Sequence, residues 1–168
     1  SSAPLRGKKG SEYEGGVRIP FIAAWAKPDA KNKFQKKYPI AQNAVQLQQG
    51  TVMDLYPTIL SVAHVKPPKH YALDGADLKK LFQGKEDKKH RDDFLMHFPH
   101  GEHRANYFTT YRKGDWKLIY YYHPETTGIP TWKLYNLKDD PYEKTEVSAE
   151  YPEKTASMIE LMKNRLTE

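Results

Sequence analysis

The sequence of 168 residues contains no cysteine, which excludes a disulfide framework and any cysteine-based zinc site. It also lacks a run of about 18 apolar residues, the least that a membrane-spanning helix needs. The longest apolar stretches, 19–26 and 116–122, have the length of single strands. The first residues show neither a starting Met nor an apolar core, so they are not a signal peptide. We expect further sequence upstream, and composition alone predicts no compartment.

Charge and aromatic content describe a globular chain with a basic surface. Charged residues make up 29% and hydrophobic residues 38%, with a net charge of +6 and 12 tyrosines. This balance is typical of a folded domain rather than a disordered one. The lysines occur in short, scattered clusters instead of a single stripe, which disfavours nucleic acid as a partner. Tyrosines at this frequency are typical of aromatic sheets and of polar ligand clefts.

In the first half of the chain, the pattern predicts few regular elements. A short apolar run with β-branched and aromatic members predicts a buried strand over 17–26, and a second short strand is predicted over 42–48. A helix is predicted over 54–65, because its apolar residues recur on one face and Pro57 is tolerated in a first turn. One more helical turn is predicted within 74–82.

In the second half, short aromatic segments predict an antiparallel sheet. The charged segment 83–93 separates them from the first half. Lys113-Gly114-Asp115 is typical of a tight turn, so the strands on either side of it should form a hairpin. A helix over 152–166 carries one apolar stripe, which should pack on the sheet. The predicted strands are 94–98, 107–112, 116–122 and 131–136.

Glycines flank two lysines just before the first apolar run, in GKKGSEYEGGVRIP at 7–20. Glycine lets the backbone approach a ligand closely and exposes N–H groups to an anion. A lysine held there provides a point charge for phosphate or sulfate oxygens. From these residues alone the segment fits either an ordinary glycine-rich surface loop or an anion site. We expect Glu14 and Arg18 to pair locally and to fix the turn. The segment is not a P-loop, because it lacks the Gly-Lys-Ser/Thr ending.

The same segment resembles the second signature region of the type I sulfatases, which belong to the alkaline-phosphatase-like superfamily. That region reads Gly-Lys-Gly-Ser/Thr-x-Tyr/Trp-Glu-Gly-Gly-x-Arg-x-Pro. Four further segments resemble motifs of this family in the same order, so that the resemblance covers nearly the whole chain. They are DLYPTIL at 54–60, DGADL at 74–78, GDWKL at 114–118 and LYNL followed by Asp140-Pro141 and Glu143.

The resemblance implies a fold class and a domain division. The fold would be α/β and alkaline-phosphatase-like, but partial. It would comprise the end of a large α/β domain (1–66), a linker (67–92) and a small C-terminal subdomain (93–168). The small subdomain would hold a four-stranded antiparallel sheet and the C-terminal helix. One departure from the family pattern is His64, which stands where the family often has glycine after the helix.

The resemblance assigns Lys9 the role of the family lysine that contacts the sulfate ester. Lys8, its neighbour, is the other lysine that could reach the site. The residues Gly10, Glu14, Gly15, Gly16 and Arg18 would form the scaffold of the loop and take no part in the chemistry.

The nucleophile of the family is a formylglycine made from Cys or Ser in a Cys/Ser-x-Pro-Ser-Arg motif. Residues 2–6 imitate this motif, but Leu5 stands where the family has Ser, and the position in the chain is wrong. The calcium ligands of the family lie upstream, so calcium is expected in the full-length enzyme and no metal is expected in this chain. Alone, the chain should therefore be inactive.

A histidine-rich segment supplies the remaining candidate residues. By resemblance the C-terminal subdomain walls the active-site cleft, so this segment should contact the leaving group of the substrate, such as a sugar. A metal site formed by two of the histidines and a purely solvent-exposed loop are the alternatives. The candidates are His97, His100, His103 and Arg104.

The sequence therefore predicts part of a sulfatase that acts on a sulfated small molecule or glycan and requires the remainder of its own N-terminal catalytic domain. Two alternatives stay open: a related phosphate-ester or phosphonate hydrolase, and a non-catalytic polyanion-binding module. Family resemblance suggests a periplasmic or secreted location.

Overall fold

The computed structural model describes residues 2–99 and 106–167, and these residues form two compact units. The first unit comprises the described residues up to Ile19 together with those from Asp93 onward; the second is Pro20–Asp92. The boundary at residue 92 is shared with the sequence-based division. Residues 7–13, which contain the two lysines and are named the lysine loop, group with the sheet, whereas the sequence-based division places them with the rest of 1–66.

An antiparallel sheet forms the first unit and has the strand order β1-β2-β3-β4. Strands β2 and β3 are joined by Gly114-Asp115, and Gly114 has a φ of 57°, a left-handed conformation that glycine adopts without strain. The pairing brings Thr110 opposite Ile119 and Leu118 opposite Leu134. The predicted four-stranded sheet and its hairpin are thus confirmed. The strands are β1 (Asp93–Phe98), β2 (Phe108–Lys113), β3 (Trp116–Tyr121) and β4 (Trp132–Asn136).

Both faces of this sheet are covered. Helix α6 (Pro152–Thr167) covers one face, where Met158 and Met162 pack on Leu118 and Leu134. The predicted C-terminal helix is therefore confirmed. The opposite face holds an aromatic cluster that includes Phe108 and Tyr135, and Tyr13 of the N-terminal segment packs against it. Each large apolar side chain buried in this way contributes about 1.5–3 kcal/mol.

The second unit contains short helices and little core. A capping box at Thr51 and Asp54 begins the predicted helix of the Asp-Leu-Tyr-Pro-Thr segment, and the Asn32 side chain caps a short helix that the sequence analysis missed. The buried hydrophobic side chains of the second unit are Tyr38, Leu78 and Leu81. The helices are α2 (Lys33–Lys37), a 3-10 turn (Val52–Asp54), α3 (Leu55–Val62) and α4 (Lys79–Phe82). In the first unit, a single helical turn, α5 (Pro124–Thr127), lies between β3 and β4.

The predicted strands at 17–26 and 42–48 are wrong for this chain. A short helix, α1 (Glu14–Val17), ends where the first was expected, and residues 18–32, all of which the structure describes, contain neither helix nor strand. Several apolar side chains of both segments are exposed, with Ile22 89% exposed and Leu47 90% exposed, although Trp25 is half-buried. An extended segment becomes a strand only when a neighbour accepts its backbone hydrogen bonds, and none of the described strands pairs with these segments. Among the described residues, no helix is both long and apolar enough to cross a membrane.

Candidate functional site

The lysine loop, residues 7–13, is a tight turn that leads into α1. The Ser11 N–H donates to the Lys8 carbonyl over 2.9 Å, and the Lys8 N–H donates to Ser11 Oγ over 3.2 Å. Gly10 occupies the third position of this turn with a φ of 90°, which strongly favours glycine. Lys9 stands at the second position and is exposed. The turn therefore holds the backbone of Lys9 while its amine is open to a ligand.

Two glycines let α1 pack directly on the loop. The Gly15 N–H donates to the Arg6 carbonyl over 2.7 Å. A Cβ on Gly15 would lie 2.5 Å from the Arg6 carbonyl oxygen, and one on Gly16 would collide with the Ser11 carbonyl oxygen. The backbone of the lysine loop and that of α1 are therefore in direct contact, and neither can shift without the other.

A buried cluster of charges lies beneath α1. Lys117 Nζ is 3.1 Å from Glu14 Oε1 and 2.8 Å from Glu143 Oε1, and Arg112 Nη1 is 3.2 Å from Glu14 Oε2. The side chains of Lys117, Glu14 and Glu143 are at most 4% exposed. The expected local pair of Glu14 with Arg18 is thus wrong: Glu14 turns to the cations of the sheet, and Arg18 is exposed with its N–H bonded to the Glu14 carbonyl.

Glu143 connects this cluster to both ends of the lysine loop. Its Oε2 accepts the Glu14 N–H over 2.6 Å, and its carbonyl accepts a hydrogen bond from Arg6 Nη1 over 2.6 Å. The Arg6 guanidinium also stacks over the Tyr13 ring at 3.8 Å. Burial raises the pKa of the Glu143 carboxyl, and the charge of Lys117 opposes that rise.

The last residues of the loop are fixed at the other end of strand β3. The Tyr121 hydroxyl donates to the buried carboxylate of Glu12 over 2.7 Å and lies 3.3 Å from the Tyr13 hydroxyl. Burial and the neighbouring Glu12 raise the pKa of Tyr121 far above its ordinary value. The chain from Glu14 back to Glu12 therefore follows β3 from Lys117 toward Tyr121.

His97 lies on the edge strand β1 and belongs to the face of the sheet on which α6 packs. Its Nδ1 is 2.8 Å from Oγ1 of Thr109, a fully buried residue directly across the strand pair, and 3.4 Å from the Tyr122 hydroxyl. Its ring contacts Tyr122, which contacts Tyr120 in turn. His97 and the aromatic cluster under Tyr13 therefore project from different faces. The other predicted substrate-binding residues, His100, His103 and Arg104, lie outside the described residues.

The sequence analysis missed the buried partners of the loop, which are Glu12, Arg112 and Lys117, and the role of Glu143. One signal was available, because Lys117 interrupts an otherwise apolar strand and a buried lysine requires a carboxylate partner. The partner itself could not be predicted, since Glu14 and Lys117 are 103 residues apart in the sequence.

No group of three or more His, Asp or Glu side chains that could hold a metal ion occurs within residues 2–99 and 106–167. A calcium ion needs six to eight oxygen ligands, and the described part of this chain does not offer such a set.

Comparison with known proteins identifies the family. The family N-sulphoglucosamine sulphohydrolase, C-terminal, matches residues 8–168. A Formosa agariphila protein named Sulfatase is 33% identical over 181 residues, which cover 99% of this chain and 29% of that protein.

Two solved structures share the fold. One, from work on glycosaminoglycan metabolism by Bacteroides thetaiotaomicron, is 26% identical with a TM-score of 0.66 and covers 98% of this chain and 32% of its own. The other was solved in complex with its substrate, D-glucosamine-2-N,6-O-disulfate; it is 28% identical with a TM-score of 0.56 over 68% of this chain and 23% of its own. The chain thus spans less than a third of the length of these relatives.

The lysine loop, the four-stranded sheet with its C-terminal helix, and these matches lead to one conclusion: the chain belongs to the C-terminal domain family of the sulfatases, within the alkaline-phosphatase-like superfamily.

Proposed function

We propose that this chain forms part of an enzyme that hydrolyses sulfate esters of a carbohydrate, and that Lys9 is the residue through which it contacts the sulfate group. The observation that carries the proposal is the tight turn at Lys8–Ser11, which leaves the Lys9 amine exposed on a backbone that is anchored on both sides.

The chemistry proposed for Lys9 is electrostatic. As the ester S–O bond breaks, negative charge grows on the sulfuryl oxygens and on the departing alcohol oxygen. A lysine ammonium fixed within hydrogen-bonding distance stabilises that charge more strongly in the transition state than in the ground state. Lys9 takes no proton from the substrate and forms no covalent bond in this scheme.

The nucleophile is expected in the part of the protein outside this chain, as a formylglycine, together with calcium. No calcium ligand set occurs among the described residues, so its ligands would also lie in that part. The chain by itself is accordingly expected to bind a sulfate ester weakly and to hydrolyse none.

A carbohydrate substrate is proposed from two considerations. One solved relative binds a disulfated glucosamine, and the present chain carries a row of ring side chains at the end of the sheet where β1 ends. In this row Tyr120 lies against Trp132 with ring centroids 4.6 Å apart, and Tyr122 and His97 continue it. Rings with polar edges suit the apolar faces and hydroxyl groups of a sugar. We propose that His97 and the segment that follows it form the wall on the leaving-group side.

The exposed apolar surface of the second unit supports the proposal of a missing catalytic domain. Ile22, Val45 and Leu47 are each more than four-fifths exposed. Large exposed apolar side chains are the kind that contacts between domains cover, and we propose that these three lie in such a contact. The remainder of the sulfatase is the partner that we propose for this surface.

Kinetics of the full-length sulfatase that contains this chain would test the proposal. We expect Lys9→Ala to lower kcat/KM for a sugar 6-O-sulfate by about 100-fold or more, the range found when one transition-state donor is removed. Lys8→Ala, which changes the neighbouring lysine of the same turn, is the matched control and should lower kcat/KM less than about threefold, since a surface charge that does not contact the substrate mainly affects encounter.

Two outcomes would contradict the proposal. Equal losses in the two variants would mean that the loop contributes only general positive charge. Faster turnover of the corresponding phosphate monoester than of the sulfate ester would favour the phosphate-ester hydrolase.

A further inference from the structure

We infer that Lys117 is a positioning residue for the sulfate-binding loop: its buried ammonium holds Glu14 and Glu143, and these two residues fix both ends of the segment that presents Lys9. The inference rests on the proposed function for its consequence in catalysis, but its structural content can be tested separately.

The charges of the buried cluster are balanced. Lys117 and Arg112 face Glu14 and Glu143, so two cations meet two carboxylates. The Lys117 side chain is 1% exposed and that of Glu143 is 0% exposed, so water cannot replace a missing partner. A buried charge without a partner is strongly unfavourable, and the loss of the Lys117 ammonium would force Glu143 to move or to take up a proton.

Hydrogen bonds connect the buried cluster to the lysine loop. Glu143 Oε2 accepts the N–H of Glu14, which begins α1, while the Glu143 carbonyl holds the side chain of Arg6. The Arg6 carbonyl accepts the Gly15 N–H. Both ends of the loop thus converge on Glu143, and Lys117 secures Glu143 and Glu14 from the sheet side.

The segment between Arg6 and Glu14 is closely packed against α1. Because Gly15 and Gly16 bring the backbone of α1 against Arg6 and Ser11, a shift of Glu14 carries the turn at Lys8–Ser11 with it. A displacement of about 1 Å at a catalytic group costs as much as 100-fold in rate. Lys117 can therefore control Lys9 without touching the substrate.

Amide hydrogen exchange on the 168-residue chain tests this positioning role directly. Lys117→Met keeps the length of the side chain and removes its charge, and Lys138→Met is the matched control, because Lys138 is exposed on the same unit. We expect Lys117→Met to lower the protection of the Glu14 and Gly15 amides at least tenfold more than that of the Leu134 amide, and Lys138→Met to leave all three unchanged. A uniform loss of protection would mean that Lys117 only stabilises the sheet, and would overturn the inference.

A second variant covers the case in which Lys117→Met does not fold. Glu14→Gln removes the charge on the loop side and leaves the pair of Lys117 with Glu143 in the sheet. It should produce the same selective loss at Gly15, and unchanged protection there would overturn the inference.

Kinetics of the full-length sulfatase then distinguish the positioning role of Lys117 from the proposed role of Lys9. We expect Lys117→Met to lower kcat at least tenfold at a temperature where the variant is folded, whereas Lys138→Met keeps the parent kcat. If the loop loses protection but Lys9→Ala retains full activity, the proposed function fails and the positioning role stands. If Lys9→Ala is inactive and Lys117→Met is fully active, the positioning role fails and the proposed function stands.

Discussion

The two units of this chain bury their apolar residues to very different extents. In the first unit both sheet faces are covered, one by α6 and the other by the N-terminal segment, and Leu118, Ile119 and Leu134 are fully buried. In the second unit most of the large apolar side chains, including Phe21, are exposed. Apolar area removed from water is the dominant favourable term in folding. The first unit therefore has a hydrophobic core of its own. The second unit has enough apolar residues for a larger core than the one it forms.

The polar interactions of the two units differ in the same way. In the first unit a buried ion cluster joins segments that are about 100 residues apart in the sequence. In the second, Asp54 accepts the N–H groups of Thr51 and Ala76, and Thr58 accepts that of Leu78. They fix the start of α3 and hold residues 76–78 against it, over sequence separations of 22 residues or fewer. The second unit is thus held in shape mainly by backbone-directed hydrogen bonds.

The largest expected effect would come from core truncation in the first unit. Leu134→Ala should lower the free energy of unfolding by about 2–5 kcal/mol, because it leaves a cavity between α6 and β4. Leu47→Ala, the same change at a side chain that is 90% exposed, should change it by less than about 0.5 kcal/mol in this chain. Denaturant unfolding followed by tryptophan fluorescence measures both.

The comparison between the units would be broken if these two variants lost similar stability. In the full-length sulfatase, Leu47→Ala should become destabilising, since the proposed catalytic domain would then cover that side chain. An unchanged effect there would count against the contact surface assigned to the second unit.

A smaller loss of stability is expected when the Asp54 side chain, which caps the start of α3, is removed. Asp54→Ala removes the acceptor of the Thr51 and Ala76 amides, and a hydrogen bond to a charged group contributes about 1.5–3 kcal/mol. Hydrogen exchange should show the loss in α3, while amides of the sheet keep their protection. Asp115→Ala, a change at an exposed turn residue of the first unit, is the control. A loss that spread equally into the sheet would mean that the two units unfold as one.

The smallest effect concerns pH and sharpens the description of the first unit. Burial alone would raise the pKa of Glu146, but hydrogen bonds from the N–H groups of Leu134 and Ser148 outweigh it and lower that pKa. A carboxyl whose pKa is lowered by folding stabilises the fold above its ordinary pKa of about 4.3, and this contribution disappears as the pH falls through the lowered value.

Glu146→Gln should therefore lower the thermal midpoint at pH 7, and the difference from the parent should shrink as the pH falls below about 4. Thermal melts at intervals of about one pH unit from about pH 3 to about pH 7 would measure this difference. Glu150→Gln, an exposed neighbour, is the control and should show no such trend. A difference that grew toward low pH would contradict the assignment.

The sheet and the C-terminal helix were predictable because their signals are local. Alternating aromatic residues, the turn at Gly114-Asp115 and the stripe through Met158 and Met162 each specify one element within a few residues. The glycine that the family often has at position 64 also has a local reason. His64 has a φ of 57°, a left-handed conformation that glycine adopts most readily. These features required no knowledge of distant neighbours.

The rest required tertiary information that the sequence pattern does not contain. The apolar run at 17–26 has the composition of a buried strand, but strand formation depends on a neighbouring strand, and none of the described strands pairs with it. A role for Lys9 could be proposed from its motif. Its supporting residues could not be, because Glu14 has a near neighbour of opposite charge, Arg18, yet pairs with Lys117 and Arg112 from the sheet.

A crystal structure of the full-length sulfatase with a sulfated monosaccharide bound would test the central claim most directly. The account predicts that the Lys9 ammonium lies within about 3.2 Å of a sulfate oxygen, with the turn at Lys8–Ser11 and the contacts of Glu14 to Lys117 unchanged. A sulfate group bound by other cations, with the Lys9 side chain directed into solvent, would contradict it.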